Sequence, residues 1–536
     1  WLNESFANMM EYVCVNAIEP TWNIFEDFQT SGVPLALKRD ATDGVQSVHV
    51  EVKHPDEINT LFDPAIVYAK GSRLMHMLRR WLGDEAFAKG LNAYFAKHQY
   101  GNTIGRDLWN ALGAASGRDV AAFMDSWLEQ PGYPVLTAIV ENDTLKISQK
   151  QFFIGEKEEK GRLWVVPLNS NWTGIPDTLE TETLEIPNYA ALAAQNEGAL
   201  RFNTENTAHY ITDYQGELLD NILATITDLD NTSKLQVVQE RRLLAEAGFV
   251  SFADLIPVVE KLTNERSYLV VSAVKSVLTS LKTFVDEGTE TEAAFKKLLV
   301  KLNQANFDRL GFEAKDGETD EDELVRQIVV ANMIAADDEK ASQKASQIFE
   351  AYHDTLEKLP AATRLQILIN QIKRHETKEL TDKYLAKYIT TVDGNFQRQL
   401  ASALSYTKNE TTLTHLLEEW KNKDIVKPQD LAMSWYFTFL QHDFTQGTVW
   451  TWARDNWDWI KAALGGDMSF DKFVIYPAST FKTHERLAEY KAFFEPQLSD
   501  LAISRNISMG IKEISARIDL IDKEKAAVEA AIKATV

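Results

Sequence analysis

Hydrophobic positions fall into three regimes along the chain. From residue 1 to about 131 they recur at three-to-four spacing. Phe6, Met9, Met10, Val13 and Cys14 mark a first helix that Glu19-Pro20 closes. Asp63-Pro64 reads as an N-cap followed by proline at the first helical position. The pattern then runs past Tyr68 to Trp81, and Gly83 stops it. Asp84, Thr103 and Asp119 are expected to cap three more helices. Between them, Gly44 to Asn59 carries Val45, Val48, Val50 and Val52 in partial alternation and reads as a loop or short extended stretch.

From Tyr133 to about Tyr214 the period changes to two. Val135, Thr137 and Ile139, Leu145 and Ile147, Trp164, Val166 and Leu168, and Leu184 and Ile186 alternate with polar residues, and turn signals such as Glu141-Asn-Asp143 fall between them. The reading is a small β-sandwich. After Gly216 helical segments follow one another in pairs to the end, from Leu218 onward to Ala531, with short polar links and no fixed sequence period. That is a solenoid by pattern alone. The expected fold is mainly α with a small β-sandwich, divided at 1–131, 132–214 and 215–536.

Length agrees, since 536 residues exceed one core and suggest about three or four domains. No apolar run approaches the ~20 residues that span a bilayer, so no membrane partner is expected. With 79 acidic against 56 basic residues the formal net charge is -23, which repels phosphate backbones and argues against nucleic acid. The single cysteine, Cys14, permits no intrachain disulfide and suits a reducing, cytoplasmic setting. Its place beside Val13 and four residues after Met10 reads as a packed core position. The acidic run Asp316–Glu323 lacks ordered calcium-loop spacing and reads as a solvated loop and helix start. Trp450, Trp452, Trp457 and Trp459 pair at sevenfold spacing and read as helix packing.

Two residues carry candidate chemistry. Glu4 opens the first helix in Trp1-Leu-Asn-Glu4-Ser-Phe-Ala7, and a lone glutamate there is ordinarily a partner for the helix dipole. Tyr68 sits in Asp63-Pro-Ala-Ile-Val-Tyr68-Ala-Lys-Gly71, on a helix where a tyrosine is ordinarily core. Both segments, in this order and spacing, resemble those of the M1 zinc aminopeptidases, the aminopeptidase N group, most of all its lactic-acid-bacterial members. Trp127-Leu-Glu-Gln-Pro-Gly132-Tyr-Pro134-Val resembles the junction where that family's catalytic domain ends. The likeness covers essentially the whole chain, as the C-terminal two-thirds of such an enzyme.

The resemblance implies the helical tail of a gluzincin (thermolysin-like) catalytic domain, a β-sandwich, and a helical domain capping the active site. It implies Glu4 as the third zinc ligand and Tyr68 as the donor to the developing oxyanion. Substrates would be peptides with a free N-terminus, and the full-length enzyme a monomer. Two family segments are missing. The His-Glu-x-x-His helix, with two zinc ligands and the general-base glutamate, and the Gly-x-Met-Glu-Asn segment, which holds the substrate amino group, would both lie before Trp1. The chain starts with Trp, without a basic or apolar leader, so its start reads as a cut. It is therefore expected to bind zinc weakly and not to hydrolyse peptides by itself. His375-Glu376 and His484-Glu485 each lack a second histidine, and His49 and His54 read as surface or loop. The rival expectation is a non-catalytic helical scaffold that binds a protein partner.

Overall fold

The computed structural model describes residues 1–52, 63–155, 158–465, 469–500 and 502–535. They form two compact units, Trp1–Leu262 with Ser272–Val277, and Thr263–Val271 with Leu278–Val536.

Unit 1 begins with α1 (Leu2–Ile18), α2 (Ile24–Thr30) and α3 (Gly32–Asp40). The side chain of Asp63 accepts from Ala65 N at 2.9 Å, and Pro64 occupies the first helical position. The helix expected there is present, but its first turns, Pro64–Lys70, are π-helical before it continues as Gly71–Leu82 and ends at Gly83 (φ +80°). Helices Asp84–His98, Gly105–Ser116 and Val120–Leu128 follow. Asp119 caps the last through Ala122 N at 3.0 Å. Asp84 is instead the first residue of its helix, and Ile104, not Thr103, precedes the next.

Cys14 is exposed, contrary to the packed position expected for it. The buried residues of α1 are Ser5 and Met9. Five residues at about 100° each carry Cys14 some 140° round the helix from Met9.

The β region forms a four-stranded sheet, ordered β5-β2-β1-β6, and a two-stranded ribbon of β3 and β4. β1 (Pro134–Glu141) pairs antiparallel with β2 (Thr144–Gln151) and parallel with β6 (Ile211–Tyr214). β5 (Thr183–Pro187) flanks β2, and β3 (Val166–Pro167) meets β4 (Thr178–Leu179). The alternation over Trp164–Leu168 thus yields only a two-residue strand. Pro167 has no N–H to offer a ladder. The buried Gln149 side chain takes the place of a ladder for this segment: it donates to the carbonyls of Trp164 and Thr181 at 3.0 Å and accepts from Trp164 N at 3.0 Å. In β1 Val135, Leu136 and Ala138 are buried, while Thr137 and Ile139 are half-buried.

Unit 2 is helical throughout its described residues. The helix Glu290–Leu310 packs against Asp320–Ala335, whose start is capped by Thr319 in a box with Asp322. The acidic run is therefore a loop and first helical turn, with Arg309 on Asp322 and Arg326 on Glu318. The 31-residue helix Ser504–Ala534 also packs on Glu290–Leu310. Trp420, Trp435 and Trp450 are buried in one continuous core; Trp457 joins it, and Trp452 and Trp459 pack at its edge.

Candidate active site

Glu4 lies in the first turn of α1, half-buried, where the helix dipole favours a carboxylate. Asn3 Nδ2 donates to its Oε1 at 3.0 Å. The next residue, Ser5, is fully buried, and its hydroxyl donates to the Val67 carbonyl at 2.6 Å. Ser5 follows Glu4 and Val67 precedes Tyr68, so this one bond sets the two candidate residues side by side. They are neighbours: the Glu4 carboxylate stands close enough for its charge to bear on the Tyr68 phenol. Partial desolvation, and then the nearby Glu4 carboxylate, hold the phenol above its ordinary pKa, so it stays a protonated donor.

Tyr68 is presented by the π-helical stretch. A π-turn takes one residue more than an α-turn, which rotates the side chains within it relative to those of the following helix, and such turns recur at functional sites. Asp63, which caps it, also receives Arg39 Nε at 2.8 Å.

Below Tyr68 the turn is anchored in a fully buried charged cluster. Lys70 Nζ lies 2.8 Å from Asp40 Oδ2 and donates to the Gly132 carbonyl at 3.1 Å. Gly132 N returns a 2.9 Å bond to Asp40 Oδ1, and His209 Nε2 donates to Asp40 Oδ2 at 3.0 Å. Burial alone would raise the Asp40 pKa, but Lys70 and His209 outweigh it and hold it down to about 2. Gly132 has φ +88°, and a Cβ there would stand 2.3 Å from Gln151 Nε2. Arg73, one turn beyond Lys70, is buried too; its guanidinium donates to Ala208 O (Nε, 3.1 Å) and Asn206 Oδ1 (3.0 Å). The three segments singled out in the sequence are thus joined in series, Ser5 to Val67 and Lys70 to Gly132. Asp40 and His209, which complete the knot, were not foreseen; they come from distant segments with no local pattern to mark them.

His49 is exposed and pairs with Glu129 at 2.6 Å, in keeping with the surface reading. His54 lies outside the described residues. Glu376 accepts from Thr407 Oγ1 at 2.5 Å and Lys408 N at 3.2 Å, and His484 pairs with Asp522 at 3.0 Å. A catalytic zinc takes three protein ligands and one open position. Glu4 has the chemistry and exposure of one of them. Among the described residues no three His, Cys, Asp or Glu side chains converge to make a set. No described helix is long and apolar enough to cross a membrane.

The Peptidase family M1 domain matches residues 1–127, and the ERAP1-like C-terminal domain matches residues 200–516. The chain is 62% identical over 535 residues to aminopeptidase N of Lactococcus lactis subsp. lactis, covering 99% of this chain and 63% of that protein. It is 55% identical over 533 residues to aminopeptidase N of Lactococcus lactis subsp. cremoris strain MG1363, and 43% over 533 residues to that of Lactobacillus helveticus, with the same two shares. The chain therefore spans about 63% of the length of these relatives. The chain belongs to the M1 aminopeptidase N family, and carries the portion that runs from the end of the peptidase domain through the ERAP1-like C-terminal domain.

Proposed function

We propose that this chain is the C-terminal portion of a zinc aminopeptidase that removes N-terminal residues from peptides. In this reading Glu4 is the third zinc ligand and Tyr68 the oxyanion donor. The observation that supports it is the nearness of Glu4 and Tyr68, 64 positions apart, brought together by the 2.6 Å Ser5–Val67 bond beside them.

Residues 1–131 are then the tail of the catalytic domain, 132–214 the β-sandwich and 215–536 the helical-repeat domain. Zinc held by Glu4 and two histidines from outside this chain would supply a Lewis acid for the scissile carbonyl. Tyr68 keeps its proton and offers it as a hydrogen bond where negative charge develops on the carbonyl oxygen, a contact worth several kcal/mol in the transition state. The Lys70–Asp40–Gly132 knot holds the Tyr68 turn so that this donor is in place beforehand. Substrates are peptides with a free ammonium terminus, and the sparing use of cysteine supports a cytoplasmic setting. These 536 residues alone hold zinc weakly and are inactive.

Zinc content and hydrolysis of an aminoacyl chromogenic substrate, at checked intact mass, test this. The expected result is negligible zinc and turnover for the 536-residue chain. One zinc and turnover are expected once the protein is extended upstream through a His-Glu-x-x-His helix. Zinc with turnover at the mass of the 536 residues would overturn the ligand assignment. An upstream sequence without that helix would overturn the enzyme reading in favour of a scaffold.

A further inference from the structure

We infer that Ser5 is a positioning residue whose hydroxyl, bonded to the Val67 carbonyl across the bare face of Gly71, sets the approach of the Glu4 carboxylate to the Tyr68 hydroxyl. The contact itself is independent of the proposed activity, and only its catalytic meaning rests on that reading.

Three observations carry it. The Ser5–Val67 bond is short, 2.6 Å, and buried at both ends. It lies one residue from Glu4 on one side and one residue from Tyr68 on the other, so little chain separates the pin from what it positions. Gly71 completes it. Its φ is -57°, ordinary for a helix, so glycine is not required there for backbone freedom. A Cβ at Gly71, however, would stand 2.0 Å from Ser5 Oγ and 2.7 Å from Ser5 Cβ. Glycine inside a helix forgoes up to about 1 kcal/mol of propensity relative to alanine. Here it admits α1 to a distance that no side chain would allow. The hydroxyl then fixes the register of that approach, because a buried carbonyl accepts at a defined place whereas apolar contact can slide.

Asn3 engages Glu4 from its own helix, and Lys70 anchors the Tyr68 turn to Asp40 and Gly132, away from α1. The Ser5 contact is thus where the two halves of the site are referred to each other.

The test is the 13Cζ resonance of Tyr68 in ring-labelled chain, assigned by Tyr68→Phe and read at a fixed pH where the phenol is protonated. Glu4→Gln removes the carboxylate charge and should shift this resonance. Ser5→Ala should shift it in the same direction by at least half as much. Ser5→Gly/Gly71→Ala removes both clashing atoms, leaving Ile66 O at 3.6 Å as the nearest neighbour of the new Cβ. It should restore thermal stability relative to Gly71→Ala yet keep the Ser5→Ala resonance, since the hydroxyl is still gone. Should Ser5→Ala fail to fold, Ser5→Cys preserves volume with a weaker donor and gives the same reading. A Tyr68 resonance unchanged from wild type in folded Ser5→Ala or Ser5→Cys would overturn the inference, as would no response to Glu4→Gln. The measurement needs neither zinc nor turnover, so its failure and that of the aminopeptidase reading are told apart.

Discussion

Lys70 and Asp40 form an ion pair at 2.8 Å with neither side chain exposed, and each also bonds the backbone of Gly132. The pair therefore joins α3, the Tyr68 turn and the Gly132 turn at one point. Taking two charges out of water is costly unless their remaining donors and acceptors are filled. Here Asp40 receives Lys70, Gly132 N and His209, and Lys70 reaches a carboxylate and a carbonyl.

Removing one member should leave the other charged and buried. Lys70→Met is expected to cost about 3–5 kcal/mol, read as a lower denaturation midpoint of unit 1. Lys70→Met/Asp40→Leu should cost less than the sum of the single changes, because no lone charge remains. Additive losses would mean that the two side chains do not interact as described.

Glu240 gives a pH signature. It is fully buried on the helix Asn231–Glu246, accepts from Gln236 Nε2 at 2.9 Å, and faces Arg73. Burial outweighs these and pushes its pKa up to about 8 from 4.5. Between those values the folded carboxyl holds a proton that the unfolded one has lost, so its contribution to stability falls as pH rises from about 4.5 to 8. His76 and His209 act in the opposite sense. Burial lowers each to about 4 from 6.5, so their contribution is lost as pH falls through that window. Above 6.5 only the Glu240 slope remains of these three. Glu240→Gln should gain stability relative to wild type as pH is raised from 6.5 to 8 in thermal melts. Parallel curves for the two proteins would refute it.

How much of this was legible beforehand follows from the range of each signal. The first helix, the Asp63-Pro64 start and the Gly83 stop are local patterns, and they appear as read. Glu4 and Tyr68 stood out through motif resemblance, and the structure brings them together. The π-turn left no trace, since seven residues span too few turns to separate its period from that of an α-helix. Asp40 and His209 stand 169 positions apart, and neither has a neighbour in sequence that announces the other. Trp164–Leu168 alternated like a full strand, but Pro167 and the Gln149 side chain redirected its hydrogen bonds. Cys14 was misplaced because the buried stripe of α1 is narrow and runs through Ser5 and Met9.

Tyr68→Phe removes one hydroxyl and leaves Glu4 in place. In the upstream-extended zinc protein it should lower kcat by about 10²–10³-fold, the range for a single oxyanion donor, with KM and zinc content little changed. Glu4→Ala should instead lose zinc. An equal loss of zinc in both variants would show Tyr68 to be supporting the ligand set rather than the oxyanion.

Gly510 sets a matching constraint in unit 2. It lies in the helix Ser504–Ala534, where a Cβ would stand 2.4 Å from Tyr490 Oη and 2.9 Å from Ala478 Cβ. Tyr490 cannot swing aside. Its ring packs on Phe494 at 4.8 Å and Trp450 at 6.4 Å, and its hydroxyl donates to the buried Val474 carbonyl at 3.1 Å. Alanine would add up to about 1 kcal/mol of helix propensity. Overpacking costs about 1–3 kcal/mol, and displacing Tyr490 would also break its hydrogen bond. The balance is unfavourable, so Gly510→Ala should lower the melting of unit 2 by a few degrees in calorimetry. Gly394 offers the control: it starts the helix Gly394–Leu404, and nothing stands within 4 Å of a Cβ there. Gly394→Ala should leave the melting unchanged or raise it, and a Gly510→Ala variant as stable as that control would show that the helix can move away from Tyr490.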